Sequence, residues 1–187
     1  VDDLDLVENT IGERSVLGSP RLELRAQARY RLTVQLAHPR FGNPEHLADF
    51  AQVADGKLTV VGGGWSLTGP EPTPFGIAIL VHVPWDQANR RHTLRLELVD
   101  ADGEPVTVPG DEGGDEAPIV FLDDIEFEVG RPAGIKPGTP LELPLAVNSG
   151  PLPLEPGCRY EWRLTIDRES DEDWRLAFSV RAEEEAA

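Results

Sequence analysis

The sequence predicts an all-β fold: an antiparallel β-sandwich, Ig-like, of about eight or nine strands. Three observations lead there. Segments whose apolar residues recur at every second position follow one another closely, with no long helical period. Clusters of Gly, Pro and Asp separate them. Near the C-terminus, Glu155-Pro156-Gly157 turns the chain into a strand bearing Tyr160, the pattern of a tyrosine corner, whose hydroxyl bonds back to the preceding turn. Pro156, Gly157 and Tyr160 are therefore assigned a structural role.

In chain order, residues 1–13 carry five acids and no base, whereas 14–40 carry six arginines against one glutamate. Residues 22–36 place Leu22, Leu24, Ala26, Ala28, Tyr30, Leu32, Val34 and Leu36 in strict alternation, the mark of extended chain. A run of that length is nearly three times a typical strand. Residues 1–44 are thus read as an N-terminal arm, as extra strands, or as a non-native extension. The sandwich is expected over 45–182, with an acidic tail at 183–187.

His46–Val53 and Leu58–Leu67 flank Ala54-Asp55-Gly56-Lys57, where Asp-Gly supplies the positive φ of a tight hairpin. Gly62-Gly63-Gly64 is expected to bend the second strand, since no helix and no Lys-Ser/Thr pair follows to make a phosphate loop. Phe75–Val83 is apolar on both faces, a strand covered on each side. Leu94, Leu96 and Leu98 alternate with Arg95 and Glu97 in a half-exposed partner. Pro105 sets the piece 104–108 at an edge, and 109–118 forms an exposed loop. Ile119–Val129 keeps its phase except at Asp123; Leu141–Val147 is an edge strand because of Pro144. Tyr160, Trp162, Leu164 and Ile166, then Trp174, Leu176, Phe178 and Val180, complete the set.

Composition narrows the partners. The chain of 187 residues, long enough for one sizeable domain, holds 17 basic and 34 acidic residues, a formal charge of −17. Such a surface repels nucleic acid and anionic membranes, so a protein partner is expected, with no nucleic acid and no membrane. Cys158 stands alone and reads as a small packing residue. No apolar run reaches membrane-spanning length and no secretory pattern is present, so a cytoplasmic location is expected. Methionine is absent and the chain starts at Val1, as a GTG start or a trimmed chain would give. Fifteen arginines against only Lys57 and Lys136 suggest a GC-rich bacterial genome, an actinobacterium or a relative.

Several fragments together resemble an uncharacterised, mainly actinobacterial domain family of unknown function. They are Ala48-Asp49-Phe50-Ala51-Gln52-Val53 with Gly56-Lys57-Leu58, Gly63-Gly64-Trp65, Val83-Pro84-Trp85 with Ala88–His92, Phe127–Pro132, Leu145-Ala146-Val147-Asn148 and Pro156–Trp162. The resemblance spans about residues 45–168 and implies neither a mechanism nor catalytic residues.

Candidate chemistry is sparse. Trp85, Asn89, Arg90, Arg91 and His92 concentrate an aromatic, an amide, two guanidiniums and an imidazole in one loop, enough to grip a carboxylate, a sugar or a partner protein. Alternatively, Trp85 caps the core and Asp86 and Asn89 shape the turn. Asp100, Asp102, Asp111 and Asp115 could supply oxygens to calcium, although Asp-x-Asp-Gly also describes an ordinary turn. Trp65 could stack on a sugar, while Trp162 and Trp174 lie in phase with the core. His38, His46, His82 and His92 are too dispersed for a zinc quartet. The expectation is a non-catalytic binding or assembly module without a cofactor; the alternative is a calcium- or carbohydrate-binding sandwich.

Overall fold

The computed structural model describes residues 47–110 and 115–183. The N-terminal segment with its alternating run, Asp111, and the tail beyond Glu183 lie outside them. Twelve strands are formed there: β1 (Leu47–Ala48), β2 (Phe50–Ala54), β3 (Lys57–Val61), β4 (Leu67–Thr68), β5 (Phe75–Val83), β6 (Arg91–Asp100), β7 (Thr107–Val108), β8 (Ala117–Pro118), β9 (Val120–Glu128), β10 (Leu141–Ser149), β11 (Arg159–Ile166) and β12 (Arg175–Val180). Eight of them have five residues or more, matching the expected number.

Two sheets face each other. One runs β1-β5-β10, the other β4-β12-β11-β6-β9. All pairings are antiparallel except β4 with β12. Two such sheets, with the short strand β4 parallel to the last strand of one of them, make an immunoglobulin-like sandwich. Period two builds the interior: Ile77, Ile79, Val81 and Val83 of β5 meet Leu94, Leu96 and Leu98 of β6 and Trp162, Leu164 and Ile166 of β11. Each such side chain contributes about 1.5–3 kcal/mol by leaving water. Trp162, 1% exposed, joins the sheets by stacking on Phe121 at 4.7 Å between centroids and lying 6.0 Å from Phe75.

The β2–β3 hairpin forms as its turn residues require, with Asp55 and Gly56 at φ 50° and 66°. It then lies over the outer face of β5 and β10, where Ala51 and Ala78 are fully buried. Asn148 fastens it: its side-chain amide donates to the Ala51 carbonyl at 2.8 Å and accepts the Ala51 N–H at 3.0 Å. The crossing needs Gly76, where a Cβ would stand 2.8 Å from the Ala51 nitrogen. Thus β5 is covered on both faces near its start, although Leu80 and His82 are only half-buried.

One expected strand is divided. Leu58–Leu67 breaks after Val61, because Gly62 and Gly64, at φ 63° and 107°, bend the chain from the hairpin to the opposite sheet. The lapse at Asp123 is a β-bulge, with Asp124 at φ 50° and the register against β6 shifting there. β10 is an edge strand, as Pro144 implied. The tyrosine corner is present: the Glu155 N–H donates to the Tyr160 hydroxyl at 2.9 Å, and Gly157 takes φ 82°.

Candidate functional site

Strand β5 carries the chain from one pole of the sandwich to the other, about 30 Å at strand rise. Each pole gathers loops from distant parts of the sequence.

At the far pole, the loop between β5 and β6 is closed by polar contacts. His92, 4% exposed, sets Nδ1 2.8 Å from Asp167 Oδ2 and Nε2 3.0 Å from the Gln87 carbonyl, to which it donates. Asp167 also accepts the Thr93 N–H at 2.9 Å. Asn89, at φ 59°, donates its N–H to the Val129 carbonyl and accepts the Arg131 N–H at 3.3 Å. The Arg131 guanidinium donates to the Trp85 carbonyl at 2.7 Å and lies 4.8 Å from the Trp85 ring centroid, a cation–π contact. Trp85, Asn89 and His92 are therefore committed to holding loops together. Of the five residues singled out in this loop, Asn89, Arg90 and Arg91 are exposed; the Arg91 side chain is 79% exposed and 3.9 Å from Glu126.

The acidic candidates do not converge. Asp100 uses one carboxylate oxygen to accept the N–H groups of Asp102 and Glu104, both at 2.9 Å, which shapes the hairpin turn. Asp115 is exposed, and Asp111 lies outside the described residues. Among the described residues no three His, Cys, Asp or Glu side chains come together as metal ligands.

The near pole is open. A small cleft, about 30 Å³ in volume, lies between the chain entering β5 and the loop between β10 and β11. Leu47, Trp65 and Phe75 form one wall, Leu152 and Leu154 the other, and Phe178 and Val180 the floor. Trp65 stands edge-on to Phe178 at 6.4 Å between centroids, and Phe178 packs on Tyr160 at 5.7 Å. Pro70, Glu71, Pro72 and Thr73 make the rim. The tyrosine corner fixes this site, since the hydroxyl holds the loop at Glu155, one residue beyond Leu154. Burial raises the Tyr160 phenol above its usual range, against the smaller opposing effect of the Glu155 N–H bond.

Trp65 was a candidate for sugar stacking, whereas Leu152, Leu154 and the Pro70–Thr73 rim carried no binding assignment. Their signal was an apolar pair just before the corner and a proline-rich run just after a tryptophan. Neither carries a charge cluster to attract attention.

These features define an immunoglobulin-like sandwich domain with one closed pole and one open pole. Residues 46–181 match the family of unknown function DUF6941, and the chain belongs to that family. No curated protein matches it. Among the described residues no helix is long and apolar enough to cross a membrane.

Proposed function

We propose that the chain is a non-catalytic binding module, and that the Trp65 cleft receives its ligand. The observation that carries this reading is the lining. A small aromatic and aliphatic concavity remains open at the surface. Among the described residues its only ionisable side chain is Glu71, on the rim. One carboxylate cannot by itself assemble the acid–base or nucleophile–base pair that bond-making requires, but it can orient a cationic group.

Nuclear magnetic resonance titration with a panel of short apolar and apolar-basic peptides tests the reading. Shifts are expected to concentrate at Leu47, Trp65, Leu152 and Phe178, and to weaken at least tenfold in Trp65→Ala. Binding that maps to Arg90 and Arg91 instead, with Trp65→Ala unaffected, would move the function to the other pole. A rise in melting temperature with millimolar calcium would favour a metal-binding role.

A further inference from the structure

Resting in part on that reading, we propose that the β2–β3 hairpin is a hinged flap. It leaves the sandwich as a unit, and its closure sets the Leu47–Trp65 wall of the cleft.

The hairpin is attached lightly. It forms a two-stranded sheet of its own and meets the outer face of β5 and β10 through a small apolar cluster. Ala51 and Ala78 are its fully buried members, joined by the partly buried Leu58, Val60 and Ala146. The cluster between the two main sheets is separate, and it holds Tyr160, Trp162 and Phe178. The largest apolar side chains of the hairpin are turned away from the body. Phe50 and Val61, opposite each other in the register, are 45% and 54% exposed. Burial stabilises in proportion to apolar area, so docking through alanine holds far less than docking through phenylalanine would. The rest of the attachment is directional: the two hydrogen bonds between the Asn148 side chain and the Ala51 backbone. A unit with so few buried apolar contacts opens at a lower free energy than the whole fold.

The stem can bend on both of its chains. The outgoing chain kinks at Asp49, between β1 and β2, and the returning chain at Gly62 and Gly64. A Cβ on Gly62 would collide with the Asp49 carboxylate, so the two bends can lie together only with glycine there. Two backbone hydrogen bonds hold the stem. The Asp49 N–H donates to the Val61 carbonyl at 3.1 Å, and the Gly64 N–H to the Leu47 carbonyl at 3.0 Å. Leu47 also bridges to Trp65, and both residues line the cleft. The hairpin therefore pivots on the residues that form the wall. A ligand packed on Leu47 and Trp65 favours the closed flap, and the closed flap favours the ligand by the same factor.

Hydrogen exchange in the full chain tests the inference, because different amides read different parts. Asp49 and Gly64 read the stem, whereas Leu98, whose N–H donates to the Ile119 carbonyl at 3.0 Å, reads the body. Asn148→Ala touches none of these three bonds. It is expected to speed exchange at Asp49 and Gly64 by one common factor, at least tenfold, and to leave Leu98 unchanged. Fraying confined to the stem would not respond to a side chain on β10, so unchanged stem amides would overturn the flap. Acceleration of all three amides together would overturn it as well, since the hairpin would then open only with the whole fold. A faster Asp49 beside an unchanged Gly64 would overturn the link to the cleft wall. The peptide titration reads the cleft separately: a peptide bound at Trp65 should slow the Asp49 amide and bind Asn148→Ala about tenfold more weakly. Binding at Trp65 with neither effect would remove the link and leave the binding reading intact. No peptide binding, with the stem amides responding to Asn148→Ala, would remove the binding reading and leave the flap.

Discussion

The loop that closes the far pole, Pro84–Arg90, is rich in hydrogen-bonding groups and has almost none to offer. The near pole is lined by leucines, a tryptophan and prolines, and it is the one left open. The difference follows from how buried polar groups are satisfied. Turning a chain over the end of a sandwich strands backbone and side-chain polar atoms, and leaving them unpaired costs about 1–3 kcal/mol each. At the far pole Asn89, His92, Arg131 and Asp167 meet that demand among themselves and with the backbone. At the near pole the Tyr160 hydroxyl meets the demand at Glu155 from below, so the loop walls can be apolar. A concentration of polar residues in a loop is thus a weak sign of recognition until its partners are known.

The comparison breaks most directly at His92. Replacing it by alanine removes the ring's hydrogen bonds to the Gln87 carbonyl and the Asp167 carboxylate together with its packing on Phe127. A loss of about 2–3 kcal/mol is expected in urea denaturation, with peptide binding at the cleft unchanged. A variant of unchanged stability that no longer binds would make the far pole the recognition surface. Next in size is Gly76→Ala, whose methyl would collide with the Ala51 backbone under the hairpin. A loss of about 2 kcal/mol is expected, together with weaker cleft binding, because the hairpin also positions Leu47. Full stability would show that the hairpin can lift without disturbing the near pole.

The strands were legible and the poles were not, for a physical reason. Alternation is written locally: Tyr160 to Ile166, Phe178 to Val180 and Phe75 to Val83 show their buried faces without knowledge of any neighbour. The Asp55-Gly56 turn and the Pro156–Tyr160 corner are equally local, and both were readable. By contrast, His92 looked available because its partner Asp167 lies 75 residues away. The cleft looked featureless because Leu47, Trp65, Leu152 and Phe178 are spread over most of the described chain. Asn148, clipped to Ala51 across 97 residues, could be identified only as a member of a recurring fragment.

Tyr160→Phe is a gentler probe, since it keeps the ring and removes only the hydroxyl. About 1 kcal/mol of stability should be lost, and the Leu152–Leu154 wall should loosen, which proton exchange at the Glu155 amide would register. The same hydroxyl gives a pH dependence. Folding raises the phenol above its ordinary value of 10.0, so the neutral form is favoured in the folded state. Its contribution is complete below pH 10 and disappears as pH climbs through the raised value. Stability of the native chain should therefore fall more steeply above pH 10 than that of Tyr160→Phe. Parallel alkaline curves would mean that the hydroxyl is not held by burial.

The smallest expected effects give the sharpest contrast. Arg91→Ala and Glu71→Gln each remove one exposed charge, one at each pole. Neither should change stability by more than about 0.5 kcal/mol, because solvated charges at this distance from partners are screened. Their effects on recognition should nevertheless diverge. If the near pole reads apolar-basic ligands, Glu71→Gln weakens a short apolar-basic peptide several-fold at low salt, and the loss vanishes near molar salt. Arg91→Ala then leaves that affinity unchanged within error. The reverse result, with Arg91→Ala weakening and Glu71→Gln silent, would place the charge that matters on the pole whose other polar groups are already spent. The open cleft would then be a packing defect of the sandwich.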